Sequence, residues 1–360
     1  MEFPDQTDPT PPNSEGRRKS AFSINPNLKK RYPKKQERSV EEYIKAIRNG
    51  DRIVLGQAIT LIESKHPRHQ SLAQEIIEKC LPFAGNSFRL GITGTPGVGK
   101  STFIEALGIY LCGQDKKPAV LAIDPSSQKS KGSILGDKTR MPRLSAHPSA
   151  FIRPSPAGSS LGGVARKTRE TIVLCEAAGF DTIIVETVGV GQSEIAVHSM
   201  VDFFLLLILP GAGDELQGIK RGIVEMADLI AVNKADGERK ALAKQAQRNY
   251  RNAIHLLPPT QSGWIPKVLT CSAQEEEGID TIWSASEEFL RLATANGFLE
   301  KNRQDQARFW LHQSIQNGVM QRLNQDEKTR QFLKDIEQQI LKGKITPFKG
   351  AEQVLQYLLK

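Results

Sequence analysis

The chain has 360 residues, 25% of them charged, with a formal net charge of +9, enough to bury a sizeable core in one large α/β domain with helical additions or in two modest domains. Its four cysteines, Cys80, Cys112, Cys175 and Cys271, lie far apart with no paired spacing, which argues against a zinc site or a disulfide framework and for a reducing, cytoplasmic setting. The positive charge is partly a tail effect, gathered between Arg17 and Arg38 without the aromatic interleaving of a single-strand binder, so nucleic acid is not an expected partner.

Residues 1–38, rich in Pro, Ser, Asn and charge, read as a disordered basic leader. Glu2, Asp5 and Asp8 sit where an apolar run would be needed, so this start reads neither as a secretory signal nor as a mitochondrial presequence. Helix is expected from Ser39, where Ser39-Val40-Glu41-Glu42 has capping-box spacing. Two more amphipathic helices over 51–64 and 69–81 complete an N-terminal helical extension, residues 39–85.

From Phe88 the pattern becomes short apolar runs alternating with longer amphipathic ones. Strands are expected at 88–93, 119–123, 151–153, 181–185, 203–209, 229–232 and 268–270, with a helix over 161–178. The most apolar of them, Phe203 to Leu209, stops at Pro210; it suits a strand buried on both faces and is too short to span a membrane. Alternation of this kind predicts an α/β fold with a mainly parallel sheet over residues 86–278, covered by helices on both faces. The stretch from Pro125 to Pro148 has no usable periodicity and reads as a long functional loop. Beyond Gly278 the strands give out, and helices over 279–297, 303–324, 326–342 and 350–359 form a C-terminal helical extension, residues 279–360. Phe309, Trp310, Leu311 and Ile315 suggest an apolar stripe on it, to be spent on core or on an oligomer seam.

The chemistry collects at the strand ends, where open parallel sheets place their ligands. After the first strand comes Gly94-Thr95-Pro96-Gly97-Val98-Gly99-Lys100-Ser101, followed by Thr102 and a helix-forming run, which fits the phosphate-binding loop at every fixed position. Its glycines allow the amide N–H groups to turn inward around a polyphosphate, Lys100 is placed to reach the β- and γ-phosphates, and the Ser101 hydroxyl to bind Mg²⁺. Asp124 after the second strand is either a Mg²⁺ ligand or a turn cap before Pro125; Asp137, on its own, reads as a cap. Glu186-Thr187-Val188-Gly189 closes the next long strand: the carboxylate faces the magnesium shell, directly or through water, and the Gly189 N–H can meet the γ-phosphate. Gly211 to Lys220 is read either as a segment that reorders with nucleotide state or as a plain strand-to-helix loop.

Asn233-Lys234-Ala235-Asp236 discriminates among bases. A carboxylate at Asp236 accepts from the N1–H and N2–H₂ edge of guanine, and adenine offers no such pair of donors. Asn233 steadies the loop, Lys234 covers the base with its stem, and Cys271-Ser272-Ala273 has the place of a second base loop, where a backbone N–H can meet guanine O6.

The runs 98–102, 124–127, 186–193, 211–220 and 233–236 together resemble the MeaB/ArgK family, P-loop GTPases of the signal-recognition and MinD class, over roughly residues 40–350. The resemblance implies a GTP-hydrolysing chaperone that gates adenosylcobalamin loading and protects methylmalonyl-CoA mutase or a related acyl-CoA mutase. It implies GTP/GDP and Mg²⁺ as ligands, the metal lying near Ser101, Asp124, Asp137 and Glu186, and a third switch over 211–220 that includes Lys220. It assigns guanine to Asp236 and to Ser272-Ala273-Gln274, and gives Lys100, Asp124, Glu186 and Lys220 the catalytic parts. A homodimer through the C-terminal helices is also implied, which would make the stripe around Trp310 a seam. The alternative is a nucleotide-dependent kinase of a transport component.

Overall fold

A computed structural model describes residues 38–123, 140–154, 161–187, 193–211, 221–256 and 258–358. Residues 1–37 of the leader therefore lie outside the described residues, and so do Asp124, Asp137, Gly189 and Lys220. The described residues from Val40 onward fall into one compact unit.

Three helices come first, α1 (Val40–Arg48), α2 (Arg52–Glu63) and α3 (Pro67–Cys80). Asp51 starts α2 by accepting from the Ile53 and Val54 N–H groups at 2.9 and 3.0 Å, and Pro67 occupies the first turn of α3, where its missing N–H costs nothing. The nucleotide-domain elements are β1 (Phe88–Gly94), α4 (Lys100–Gly113), β2 (Pro118–Ile123), α5 (Pro142–Ala146), β3 (Phe151–Arg153), α6 (Leu161–Ala177), β4 (Thr182–Thr187) and α7 (Ser193–His198). They continue with β5 (Phe203–Ile208), α8 (Arg221–Met226), β6 (Leu229–Val232), α9 (Lys240–Ile254) and β7 (Lys267–Thr270).

The seven strands form one sheet in the order β3-β2-β4-β1-β5-β6-β7, with every pairing parallel. The mainly parallel expectation holds. Side chains alternate across it with period two: Ile183 and Val185 of β4 join one core with α1–α3 and α6, while Ile184 joins the other with Phe103, Ile104 and Leu107 of α4. Leu206 and Ile208 of β5 meet β6 and the Ala243, Ala246 and Tyr250 face of α9 in a third cluster. With β1 and β5 buried between helical layers, the sheet is a stiff platform whose carboxyl edge carries the motifs.

The loop expected over 125–148 contains a helix. The short α5 escapes periodicity because its stability is tertiary: Glu105 of α4 accepts from the Arg143 and Leu144 N–H groups at 2.8 and 3.3 Å, and Leu144 packs over Gly108. A Cβ on Gly108 would lie 2.5 Å from Leu144 Cδ2.

Four helices follow, α10 (Ile279–Ala295), α11 (Phe298–Gln325), α12 (Glu327–Leu341) and α13 (Pro347–Leu358). Helix α11 starts earlier than its periodicity suggests, because Gly297 turns the chain at φ +74° and the Asn296 side chain caps Phe298 N–H at 3.0 Å. Its first half is fixed to the opposite, amino edge of the sheet. Arg303 donates to both oxygens of Asp202 (2.8 and 2.6 Å), Gln306 to Val201 O (2.7 Å) and the Trp310 indole to Ser199 O (3.0 Å). The expected stripe accordingly divides: Trp310 belongs to the intramolecular core, while Phe309, Leu311 and Ile315 remain 42%, 59% and 54% exposed. No helix among the described residues is long and apolar enough to cross a membrane.

Candidate functional site

The phosphate loop leaves β1 in a way that admits only glycine at its first position. Gly94 has φ +151°, and a Cβ there would sit 2.4 Å from the Leu207 carbonyl oxygen of β5. Gly97 and Gly99 are also left-handed, at φ +81° and +93°, and a Cβ on Gly99 would meet Asn233 Nδ2 at 2.9 Å. Helix α4 then begins at Lys100, its first N–H groups facing the loop. Lys100 is buried, and its ammonium donates to the carbonyls of Gly94 (2.7 Å) and Thr95 (3.2 Å). Burial pushes this lysine's pKa below its ordinary value, with the negative charges of Glu186 and Glu194 opposing the shift. A bound polyphosphate would supply the compact anion that such an ammonium needs. The Thr95 hydroxyl is also buried without a hydrogen-bond partner among the described residues, a second polar group that a bound anion would satisfy.

Ser101 and Glu186 meet next to the loop, the hydroxyl donating to Glu186 Oε1 at 3.3 Å. Two hard oxygen donors at this spacing, on the first turn of α4 and the end of β4, fit the donor set of Mg²⁺. One residue further along β4, Thr187 Oγ1 donates to Thr93 Oγ1 at 2.8 Å in the buried interior, joining the strand that ends in the phosphate loop to the strand that leads to Gly189. Thr102 follows Ser101 in the first turn of α4, and Pro96 is exposed at the loop tip.

The base-side motifs follow β6 and β7, across β1 and β5 from β4, at the same carboxyl edge. Buried Asn233 joins three loops: its Nδ2 donates to Val98 O at 2.8 Å and its Oδ1 accepts from Ala273 N–H at 3.0 Å and from the Cys271 thiol at 3.6 Å. In this structure the Ala273 N–H thus fixes Asn233 rather than standing open for guanine O6. Lys234, at φ +58°, reaches over the phosphate loop and donates to Gly97 O at 2.8 Å. Asp236 Oδ2 accepts from Ser272 Oγ at 2.7 Å, and Oδ1 accepts from Arg239. The Ser272 hydroxyl, and after it the Arg239 guanidinium, hold the Asp236 carboxyl below the usual carboxylate range. The second loop is closed by the Ser272–Glu277 bridge, with Gln274 exposed at its tip. Gly278 is required there, since a Cβ would lie 2.7 Å from Thr270 O.

The fold therefore brings the residues from Gly94 to Thr102 together with Glu186, Asn233, Lys234, Asp236, Ser272, Ala273 and Gln274 along one edge. Sequence reasoning assigned no part to four neighbours of the site, Thr93, Thr187, Glu194 and Arg239. The polarity of Thr93 and Thr187 at the end of apolar strands was the only hint available. A separate cavity of about 900 Å³, lined by His198, Glu225, Trp264 and Phe298 among others, lies at the amino edge of the sheet and holds none of the motif residues.

A family profile described as "Methylmalonyl Co-A mutase-associated GTPase MeaB" matches residues 55–328. A probable GTPase of Mycobacterium tuberculosis is 49% identical over 318 residues, covering 88% of this chain and 95% of that one. The GTPase ArgK of Escherichia coli is 46% identical over 322 residues, with 89% and 97% covered. The mitochondrial methylmalonic aciduria type A homolog of Mus musculus is 44% identical over 332 residues, with 89% and 80% covered. Among solved structures, that of an LAO/AO transport system kinase superposes with a TM-score of 0.72 at 40% identity, covering 89% of this chain and 98% of that one.

Proposed function

Because this chain belongs to the MeaB family of mutase-associated GTPases, we propose that it uses GTP binding and hydrolysis to gate adenosylcobalamin loading and to protect methylmalonyl-CoA mutase or a related acyl-CoA mutase. Two of its named relatives, at 49% and 46% identity, are described as a probable GTPase and a GTPase. The observation that carries the mutase assignment is the match to the mutase-associated family over residues 55–328.

In this reading the inward N–H groups of residues 94–101 and the α4 N-terminus cradle the β- and γ-phosphates. Lys100 exchanges the Gly94 and Thr95 carbonyls for phosphate oxygens and so loses the penalty of its burial. Ser101 and Glu186 would hold Mg²⁺, together with Asp124 and Asp137, and the ion when bound would neutralise charge on the phosphates. Asp236 accepts the guanine edge, the Lys234 stem covers the base, and Ser272-Ala273-Gln274 close the pocket. Gly189 and the segment 211–220 with Lys220 are the switches that respond to the γ-phosphate. Thr187, fixed to Thr93, sets where the first of these switches starts.

A homodimer through the C-terminal helices belongs to the same proposal, and the exposed Phe309, Leu311, Ile315 and Met320 of α11 supply the apolar area for it. The second reading, γ-phosphoryl transfer to a transport component, has its support in the solved relative described as a transport system kinase. Two experiments decide. The mutase of the same host should be retained on the immobilised protein with one nucleotide state and released with the other, comparing GDP with a non-hydrolysable GTP analogue. Label from γ-labelled GTP should appear as free phosphate. Equal retention in both states would contradict the gating role, and label on a protein acceptor would favour the kinase.

A further inference from the structure

Asp236 does not wait with an open carboxylate. It opens a single 3-10 turn, Gly237–Arg239, closed by the Arg239 N–H on Asp236 O at 3.0 Å and made possible by Gly237 at φ +49°. A 3-10 turn has three residues per repeat and eclipses positions i and i+3, so the backbone itself delivers the Arg239 side chain over Asp236. There Arg239 Nη2 donates to Asp236 Oδ1, the oxygen that Ser272 leaves, while Ser272 Oγ holds Oδ2 at 2.7 Å. The Asp236 side chain is 18% exposed and that of Arg239 is 50% exposed, so the arginine is the more solvent-exposed partner of the pair. The Lys240–Glu277 ion pair at 3.3 Å ties the end of the turn to the second base loop.

The N1–C2–N2 edge of guanine is chemically a guanidine, presenting planar N–H donors to a carboxylate as an arginine does. We infer that Arg239 is an internal stand-in for the base: it occupies one of the two Asp236 oxygens that the guanine edge needs, and has to leave that oxygen when a guanine nucleotide binds. Arg239 is thus a residue that sets affinity by stabilising the empty site, with no contact to the phosphates. The inference rests on Asp236 being the guanine acceptor.

The test uses the full chain and a GDP carrying a fluorescent ribose label, with unlabelled GDP and ADP as competitors. In Arg239→Ala the association rate and the affinity for GDP should both rise about two- to fivefold, the range of an exposed ion pair, with the dissociation rate unchanged. The gain should shrink as ionic strength rises, and Arg239→Lys should fall between wild type and Arg239→Ala. In an Asp236→Ala background the same arginine substitution should change nothing, since its partner is gone. Unchanged or weakened GDP binding in Arg239→Ala would overturn the inference, as would a gain that persists without Asp236. If Asp236→Ala alone keeps full preference for GDP over ADP, the base assignment is what fails.

Discussion

Asn233 Nδ2 donates to the carbonyl of Val98 at 2.8 Å, so a residue of the base-reading motif closes the phosphate loop. The same side chain accepts from Ala273 N–H at 3.0 Å, which places three loops under the control of one buried amide. Asn233→Ala leaves both groups unpaired, at roughly 1–3 kcal/mol for each buried polar group left unsatisfied. The melting temperature should fall, and GDP and GTP should weaken together, because the loss is in loop geometry and not in a contact to the γ-phosphate. Calorimetric titration with both nucleotides checks this; a selective loss of GTP would contradict it.

Gly94→Ala tests the exit from β1. The new methyl would stand 2.4 Å from Leu207 O at φ +151°, against backbone that cannot move without disturbing the β1–β5 ladder. Strain and overpacking together should cost roughly 2–4 kcal/mol and abolish nucleotide binding. Gly97→Ala meets nothing within 4 Å and carries only its φ of +81°, so it should be the milder of the two in urea unfolding.

The placement of the candidate site was legible in the chain because the proposed phosphate-loop, switch and guanine motifs are local signals, and Gly94 to Ser101, Glu186 and Asp236 each close or follow a strong strand. Strand positions were legible for a related reason: runs such as Phe203 to Ile208 are buried on both faces and stay apolar throughout. What could not be read is long-range. Helix α5 depends on Glu105 some forty residues earlier, α11 starts on an Asn296 cap, and Trp310 left its apolar stripe because Ser199 O offered its indole a partner. The stand-in contact of Arg239 was hidden differently, since it arises from a 3-10 turn that no periodicity announces.

A pH-dependent contribution is expected at the amino edge of the sheet. Burial alone would push the Glu176 carboxyl up, but the Arg89 fork, the Ser87 hydroxyl and the Gly85 N–H more than reverse this and hold it below the ordinary glutamate value. A carboxyl depressed on folding adds stability that is present above its unfolded pKa and lost as pH falls through the folded one. Glu176→Gln removes the charge opposite Arg89 and one of its two acceptor oxygens, and should cost roughly 3–5 kcal/mol at neutral pH. The gap from wild type should close in acid, below the usual carboxylate range. Urea unfolding at a series of pH values measures it, and a gap independent of pH would show that the charge of Glu176 is not what stabilises.

The central claim is that one carboxylate, Asp236, selects guanine at a site whose phosphate end is the loop from Gly94 to Ser101. Isothermal titration of wild type and Asp236→Asn with GTP, ATP and xanthosine triphosphate tests it most directly, because an amide offers a donor where guanine needs an acceptor and xanthine does not. Wild type should prefer GTP to ATP, and Asp236→Asn should lose GTP affinity by about a hundredfold while gaining xanthosine triphosphate, the scale of two to three kcal/mol for misplaced hydrogen-bond partners. Unchanged GTP affinity in Asp236→Asn, or a wild type indifferent between GTP and ATP, would contradict the account.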